Sequence, residues 1–315
     1  MKTSIFALFL FSFLFVSFLT KEDRIPPKEN KNLNGPTFVK AYGQDGVNEN
    51  AYTMIETPDG GFLIGGNVGF NSMLMHLDEE GDLVWEREFN LLSGGDEIYD
   101  LIIDNEGFLI GNSRLESNGA NQSAIFKYDY QNDNFIWIRT FTNPFESRFE
   151  GILQRPNGNY ILHGRLQPVN ASDATLMELD NQTGAPVNIR GFNLDHCEII
   201  IGAIIYDDKI YGVGRYSIGG IGVADFRASL SCFDLDGNEL WTKLYTTPDN
   251  LDARTYMTHI AEHNGKLLMS GRGDINGSEF DDVPIFLYEV DPENGDIIWG
   301  ELYDIEPSDF NRPSL

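Results

Sequence analysis

Cysteine is scarce, with only Cys197 and Cys232 in 315 residues. A disulfide-dense mini-domain is excluded, although an oxidising compartment would permit one bridge; two buried thiols fit equally well. Histidine is nearly as rare, with five residues. Only His259 and His263 stand four apart, a spacing that shares a helix face. Here the segment reads as a strand running into Asn264-Gly265, so the pair predicts no metal site. Lysine and arginine number 22 against 49 acids, a net charge of −27. That charge repels phosphate and argues against nucleic acid or an anionic membrane surface as partner. Also missing are a nucleophile elbow, a Ser-His-Asp pattern and a glycine-rich phosphate loop, so the sequence offers no evident catalytic centre.

Long apolar runs are confined to the start. Ile5 to Leu19 is almost wholly apolar, follows Lys2 and precedes Lys21-Glu22-Asp23-Arg24. The run is short for a bilayer span and suits the core of a signal peptide, so residues 1–20 are expected to direct export. The destination is then the periplasm, the cell surface or the medium. Residues 21–36, KEDRIPPKENKNLNGP, are polar and Pro/Gly-bearing and read as a linker. Residues 37–305 carry the fold, and 306–315 read as a C-terminal tail.

What is abundant is a repeat. Ala51–Phe89 reads as four short strands, broken at Pro58-Asp59-Gly60-Gly61, at Gly65-Gly66 and at Asp78-Glu79-Glu80-Gly81. The second-strand string Phe62-Leu63-Ile64-Gly65-Gly66 recurs as Phe108-Leu109-Ile110-Gly111-Asn112 and as Tyr160-Ile161-Leu162-His163-Gly164. It returns as Ile210-Tyr211-Gly212-Val213-Gly214 and Leu267-Leu268-Met269-Ser270-Gly271. The fourth strand carries Trp followed four residues later by Phe or Tyr: Trp85/Phe89, Trp137/Phe141, Trp241/Tyr245 and Trp299/Tyr303. Those are all the tryptophans in the chain. The third copy has Asn188 in the Trp slot, and successive markers are 52, 51, 53 and 58 residues apart.

Four strands repeated about every fifty residues predict an all-β fold, a β-propeller of about five four-stranded blades, or a piece of a larger one. A single sheet cannot cover both its faces, so the blades must stack. Trp85, Trp137, Trp241 and Trp299 are then the wedges between blades, each able to bury on the order of 150–250 Å². Asn188 should make its interface the weakest. Phe38-Val39-Lys40-Ala41-Tyr42 matches a fourth strand alone, which suggests that it completes or caps the last blade, or else simply starts an open series.

First strands line a propeller's channel, so their polar residues Glu97, Asp100, Arg148, Glu150, Arg254 and Thr258 are the ligand-binding candidates. The acidic turns could ligate calcium, the best of them at Asp234 and Asp236, but Asp and Asn with Gly are also what tight hairpins require. No other metal or cofactor is indicated. Four Asn-x-Ser/Thr strings, at Asn121, Asn170, Asn181 and Asn276, fit the glycan acceptor pattern, which matters only in a eukaryotic host.

The spacing of Asp78, Gly81 and Trp85, and the longer-turn set Asp291, Gly295 and Trp299, resembles the tryptophan-docking repeat of PQQ-like β-propellers. PDGGFLIGG followed by MLMHLDEEGDLVWEREF is similar to bacterial secreted repeat proteins whose units read roughly DGGYIIAG, then LIKLDSNGNLIWQKTYGG. The resemblance covers about 38–303 and implies a secreted or cell-surface propeller. PQQ itself is not expected: quinoprotein dehydrogenases are longer, with more blades and an adjacent-cysteine pair that this sequence lacks. The reading is a monomeric module binding a protein or glycan at its channel mouth or inter-blade loops. The alternative is a polysaccharide hydrolase or lyase using the channel residues.

Overall fold

The computed structural model describes residues 40–43, 46–92, 95–117, 120–141, 146–167, 173–192, 199–217, 226–246, 254–274 and 285–303. Among them are twenty strands and no helix, in five four-stranded antiparallel sheets. The first blade is β1 (Glu49–Glu56), β2 (Phe62–Val68), β3 (Asn71–Leu77) and β4 (Leu83–Phe89). The second is β5 (Glu97–Ile103), β6 (Leu109–Ser117), β7 (Ala120–Asp129) and β8 (Asn134–Phe141). The third is β9 (Glu146–Gln154), β10 (Tyr160–Gln167), β11 (Asp173–Leu179) and β12 (Pro186–Phe192). The fourth is β13 (Ile199–Tyr206), β14 (Lys209–Ser217), β15 (Phe226–Asp234) and β16 (Glu239–Tyr245). The fifth is β17 (Arg254–His263), β18 (Lys266–Asp274), β19 (Ile285–Val290) and β20 (Ile297–Tyr303). Every sheet is a meander whose strands follow chain order. This is a β-propeller of five blades.

First strands of consecutive blades pack on one another, β1 on β5, β5 on β9, β9 on β13 and β13 on β17, so they stand innermost. The second blade needs a correction of one residue. Thr57 N–H donates to the Gly61 carbonyl, and the matching bond runs from Asp104 to Phe108. Leu109, not Phe108, therefore occupies the place of Phe62. The string match misaligned the two because a hairpin's register is set by its turn hydrogen bonds and not by the identity of its first apolar residue.

Blades meet through a shared apolar layer. Leu63 and Leu74 of the first blade pack with Ile98, Leu101, Phe126 and Tyr128 of the second, and Trp85 closes the outer edge. Between the second and third blades, Ile110, Ile125 and Trp137 meet Phe149, Tyr160, Leu162 and Met177. Trp137 lies flat over the next blade's last turn: a Cβ on Gly184 would come within 2.6 Å of the indole. Its Nε1–H donates to the Asn181 carbonyl at 3.3 Å. Trp241 sits the same way over Gly295, where a Cβ would be 3.0 Å away. These two glycines have φ of +66° and +69°, so turn conformation and indole packing select glycine together.

The third blade breaks the pattern. Asn188 takes the indole's place and reaches the Asp236 carbonyl at 3.4 Å. Two small cavities lie at this interface: one of about 20 Å³ beside Ile200 and Phe233, one of about 10 Å³ beside Asn188 and Gly237. Each is about the size of a single water probe.

Polar clasps recur between first and second strands. Asn112 Nδ2 donates to the Phe149 carbonyl at 2.6 Å. His163, at the equivalent position one blade later, directs Nδ1 to the Ile200 carbonyl at 3.2 Å. Asp100 accepts the Ile152 N–H at 2.7 Å, tying the second blade to the third. By surface area Asp100 is only half-buried, yet protein atoms crowd it on all sides, and that crowding governs its ionisation. Burial pushes its carboxyl up to about 7, against the Ile152 and Leu101 N–H bonds. Burial pushes His163 down to about 4, against the Ile200 carbonyl and Glu150.

Two predictions follow from this packing. Trp137→Ala should cost about 3–5 kcal/mol and Asn188→Ala less than about 1 kcal/mol, read from chemical-denaturation midpoints. The clasps give opposed pH dependences. Asp100 stabilisation is complete below its unfolded value of 3.8 and is lost as pH rises through about 7. His163 stabilisation is complete above its unfolded value of 6.5 and is lost as pH falls through about 4. Between those limits the two slopes cancel. His163→Asn, the residue the second blade uses, should leave stability falling with pH in that window by up to roughly 1.4 kcal/mol per unit. Asp100→Asn should reverse the slope. Urea midpoints across pH 4.5–6.5 (about the window above) check both signs.

A candidate ligand site at the channel wall

Each first strand carries one extra residue at the same place in its pairing with the second strand. The register skips Tyr52 in β1, Tyr99 in β5, Glu150 in β9, Ile201 in β13 and Thr258 in β17. A bulge breaks the alternation of faces and re-aims its side chain. Because first strands are innermost, these five residues form a series along the channel wall. The first two show it directly: Tyr52 and Tyr99, from different blades, stack with ring centres 4.5 Å apart and planes 23° from parallel.

Charged groups surround that stack. The Arg114 guanidinium lies 3.5 Å from the centre of the Tyr99 ring, close enough for a strong cation–π contact. Its Nη1 pairs with Glu150 Oε2 at 2.9 Å across the blade boundary, and Arg114 is only 4% exposed. Arg148 Nε binds the other oxygen of Glu150. Tyr99 OH donates to Glu97 at 2.7 Å. Burial, with Glu97 nearby, pushes the Tyr52 phenol up, so it is a protonated donor at neutral pH. Tyr52 itself is 41% exposed. The site is an aromatic platform held from behind by a fixed cation, with carboxylates at its rim.

The structure thus gathers Glu97, Arg148 and Glu150 around Tyr99 and turns Asp100, one residue beyond the bulge, to the Ile152 N–H of the next first strand. Thr258 occupies the equivalent bulge in the fifth blade and donates to the Ser270 carbonyl at 3.3 Å. Arg254 opens β17 opposite Asp274. Sequence reasoning missed Tyr52, Tyr99 and Arg114. It also missed that Arg114, Arg165, Arg215 and Arg272 share one register position on the second strands, opposite Glu97, Arg148, Ile199 and Tyr256. Asn67 stands there in the first blade, opposite Asn50. Arg215 lies over the Phe226 and Tyr256 rings, 4.6 and 5.6 Å from their centres. The signal was legible: an arginine directly after the small residue that closes the apolar run of the second strand, in four copies of five.

The remaining candidates have local partners. Asp234 Oδ1 accepts the Asp236 and Asn238 N–H groups, and its Oδ2 accepts Asn238 Nδ2, which fixes its own turn. Those bonds hold the Asp234 carboxyl below its ordinary value, the Asn238 side chain contributing most. Asp236 receives Arg155 Nη2 at 3.3 Å from the neighbouring blade. Trp85 and Trp241 are half-buried between blades, Trp137 is 7% exposed, and Trp299 is 42% exposed. His259 turns to Thr258 and His263 to Asn264, not to each other. Cys232 is fully buried beside Tyr211, and Cys197 lies outside the described residues.

No protein-family model matches the chain, and no curated protein matches it. Among solved structures, it is similar to hydrazine synthase of Kuenenia stuttgartiensis, with a TM-score of 0.53 at 10% identity, over 84% of this chain and 70% of that one. An exo-β-1,3-galactanase from Phanerochaete chrysosporium aligns over 82% of this chain and 64% of its own, with a TM-score of 0.49 at 11% identity. An exo-1,5-α-L-arabinanase from a bovine ruminal metagenomic library aligns over 83% and 99%, with a TM-score of 0.44 at 10% identity. At such identities the likeness is one of fold, and the fold is a β-propeller.

Proposed function

We propose that this chain is an exported propeller that binds a glycan at its channel wall. The Tyr52–Tyr99 stack carries the reading. An exposed aromatic ring offers an apolar face to the C–H face of a sugar, while fixed polar groups nearby select among its hydroxyls. Arg114 holds Tyr99 in place, so little side-chain freedom is lost on binding. Glu97, Arg148 and Glu150 supply acceptors and donors within the same patch. Export rests on residues 1–20 and on the acidic surface charge. Kinship with the secreted tryptophan-docking repeat propellers rests on Asp78, Gly81 and Trp85, and belongs to the same proposal.

One observation favours catalysis as the second reading. Asp100, on an innermost strand and pushed up to about 7 by burial, could exchange a proton at neutral pH, as a polysaccharide hydrolase or lyase requires. A glycan array followed by calorimetry separates the two. Binding without product release, weakened about tenfold or more by Tyr99→Ala and little changed by Asp100→Asn, is the expected result; the tenfold corresponds to ~1.4 kcal/mol. Turnover abolished by Asp100→Asn or Glu150→Gln would establish the enzyme instead. Absence of any glycan bound by the wild-type chain would overturn both.

A further inference from the structure

The second and third blades show how this wall neutralises a guanidinium. Arg114 on β6 reaches forward to Glu150, the bulge residue of the next first strand, with Nη1 2.9 Å from Oε2. Arg148, two residues before that bulge, holds the other oxygen of Glu150. One carboxylate thus serves two guanidinium groups. Arg215 on β14 has the register position of Arg114, two blades further on. Ahead of it the bulge residue is Thr258, and opposite it stands Ile199 where Arg114 faces Glu97. Both acids have been replaced by uncharged residues, and the arginine has been kept.

A second arginine joins it. The Arg215 guanidinium lies 4.6 Å from the centre of the Phe226 ring and 5.6 Å from that of Tyr256. Arg272, opposite Tyr256 in the fifth blade, lies 5.7 Å from the same Tyr256 ring. The two rings are themselves 5.8 Å apart. Guanidinium groups from adjacent blades therefore converge on one phenol ring, each within reach of a cation–π contact. Arg87, Arg114, Arg148 and Arg155 each pair with a carboxylate. Among the described residues no carboxylate pairs with Arg215 or Arg272, although acids outnumber bases 49 to 22 in the chain. Arg215 Nε is buried with no hydrogen-bond partner, which leaves the Nη end to carry the hydrogen bonds of the group. Tyr256 is half-buried and Arg272 exposed, so the cluster reaches solvent. Thr258 spends its hydroxyl proton on the Ser270 carbonyl.

We propose that Arg215 and Arg272, held against Tyr256, form a carboxylate-binding site. A carboxylate of the bound molecule takes there the part that Glu150 plays between Arg114 and Arg148. The planar guanidinium fork matches a carboxylate with two parallel hydrogen bonds. Contact with Phe226 and Tyr256 sets the orientation of that fork beforehand, so little freedom is lost on binding. The natural source of the carboxylate rests on the glycan reading above, and on that reading it is a uronic acid unit of an acidic polysaccharide. A free small carboxylic acid offers the same chemistry.

Calorimetry on the intact chain tests this with oligogalacturonate, with the same oligomer after reduction of its carboxyl groups to alcohols, and with succinate. Oligogalacturonate should bind, and the reduced oligomer should bind about tenfold or more weakly. Arg215→Gln and Arg272→Gln should each weaken oligogalacturonate by a similar factor. Thr258→Glu supplies an internal carboxylate as Glu150 does. It should abolish oligogalacturonate binding with the thermal midpoint unchanged or raised, so that lost binding is not lost folding. Succinate bound in place of oligogalacturonate, and displaced by Thr258→Glu, keeps the carboxylate site and detaches it from the glycan reading. Oligogalacturonate bound equally by the wild-type, Arg215→Gln and Thr258→Glu chains overturns the inference and leaves the glycan reading standing. Failure of the wild-type chain to bind either carboxylate overturns it whatever neutral glycans do.

Discussion

An indole lying over the glycine turn of the next blade is the contact on which the rest of this molecule depends. Each sheet has two apolar faces and can bury neither alone. Trp137 over Gly184 and Trp241 over Gly295 show the geometry, which needs a large flat side chain on one blade and a residue without Cβ on the next. Cations reinforce the same joint from the rim: Lys40 to Asp82, Arg87 to Asp133 and Lys243 to Asp296. The acidic turns are thus spent between blades, which gives a structural account of part of the chain's large negative charge. Such exposed pairs are individually worth little, about 0–1 kcal/mol, so they orient the joint more than they hold it.

The second constraint is the bulge that every first strand carries. A regular strand in this position would turn Tyr52 and Tyr99 toward a blade face, and the channel would be lined by other residues. One inserted residue per blade instead brings the two tyrosines together at the wall and sets Glu150 within reach of Arg114. The same device, repeated with different residues, leaves Ile201 and Thr258 on the fourth and fifth blades. The scaffold is therefore regular while the wall is not, and the polar and aromatic groups concentrate on the second and third blades. That asymmetry locates the candidate site without any catalytic motif.

The clasps behind the wall are polar, and two of them titrate. Asp100 and His163 serve the same structural purpose, to hold a first strand against its neighbour. Their ionisations are displaced in opposite directions because burial disfavours whichever form is charged. Asn112 does the same work without titrating. The site and the blade joints are consequently coupled through the backbone of β9, which carries both Glu150 and the N–H that Asp100 accepts.

The repeat by itself determined the architecture: tryptophans at one slot, glycine turns at fixed offsets and four apolar segments per period left a stacked array of sheets as the economical solution. It also marked Asn188 as the odd joint, where the two small cavities lie. The sequence selected Glu97, Arg148 and Glu150 because they are polar residues on innermost strands, a rule that needs only strand order. It passed over Tyr52 and Tyr99 because an aromatic in an alternating strand reads as core, and a bulge leaves no mark in composition or period. The exposed Trp299 was equally hidden, since its sequence surroundings match those of its buried counterparts. Whether a wedge is buried depends on what stands beyond it, and only the tertiary arrangement of the blades decides that.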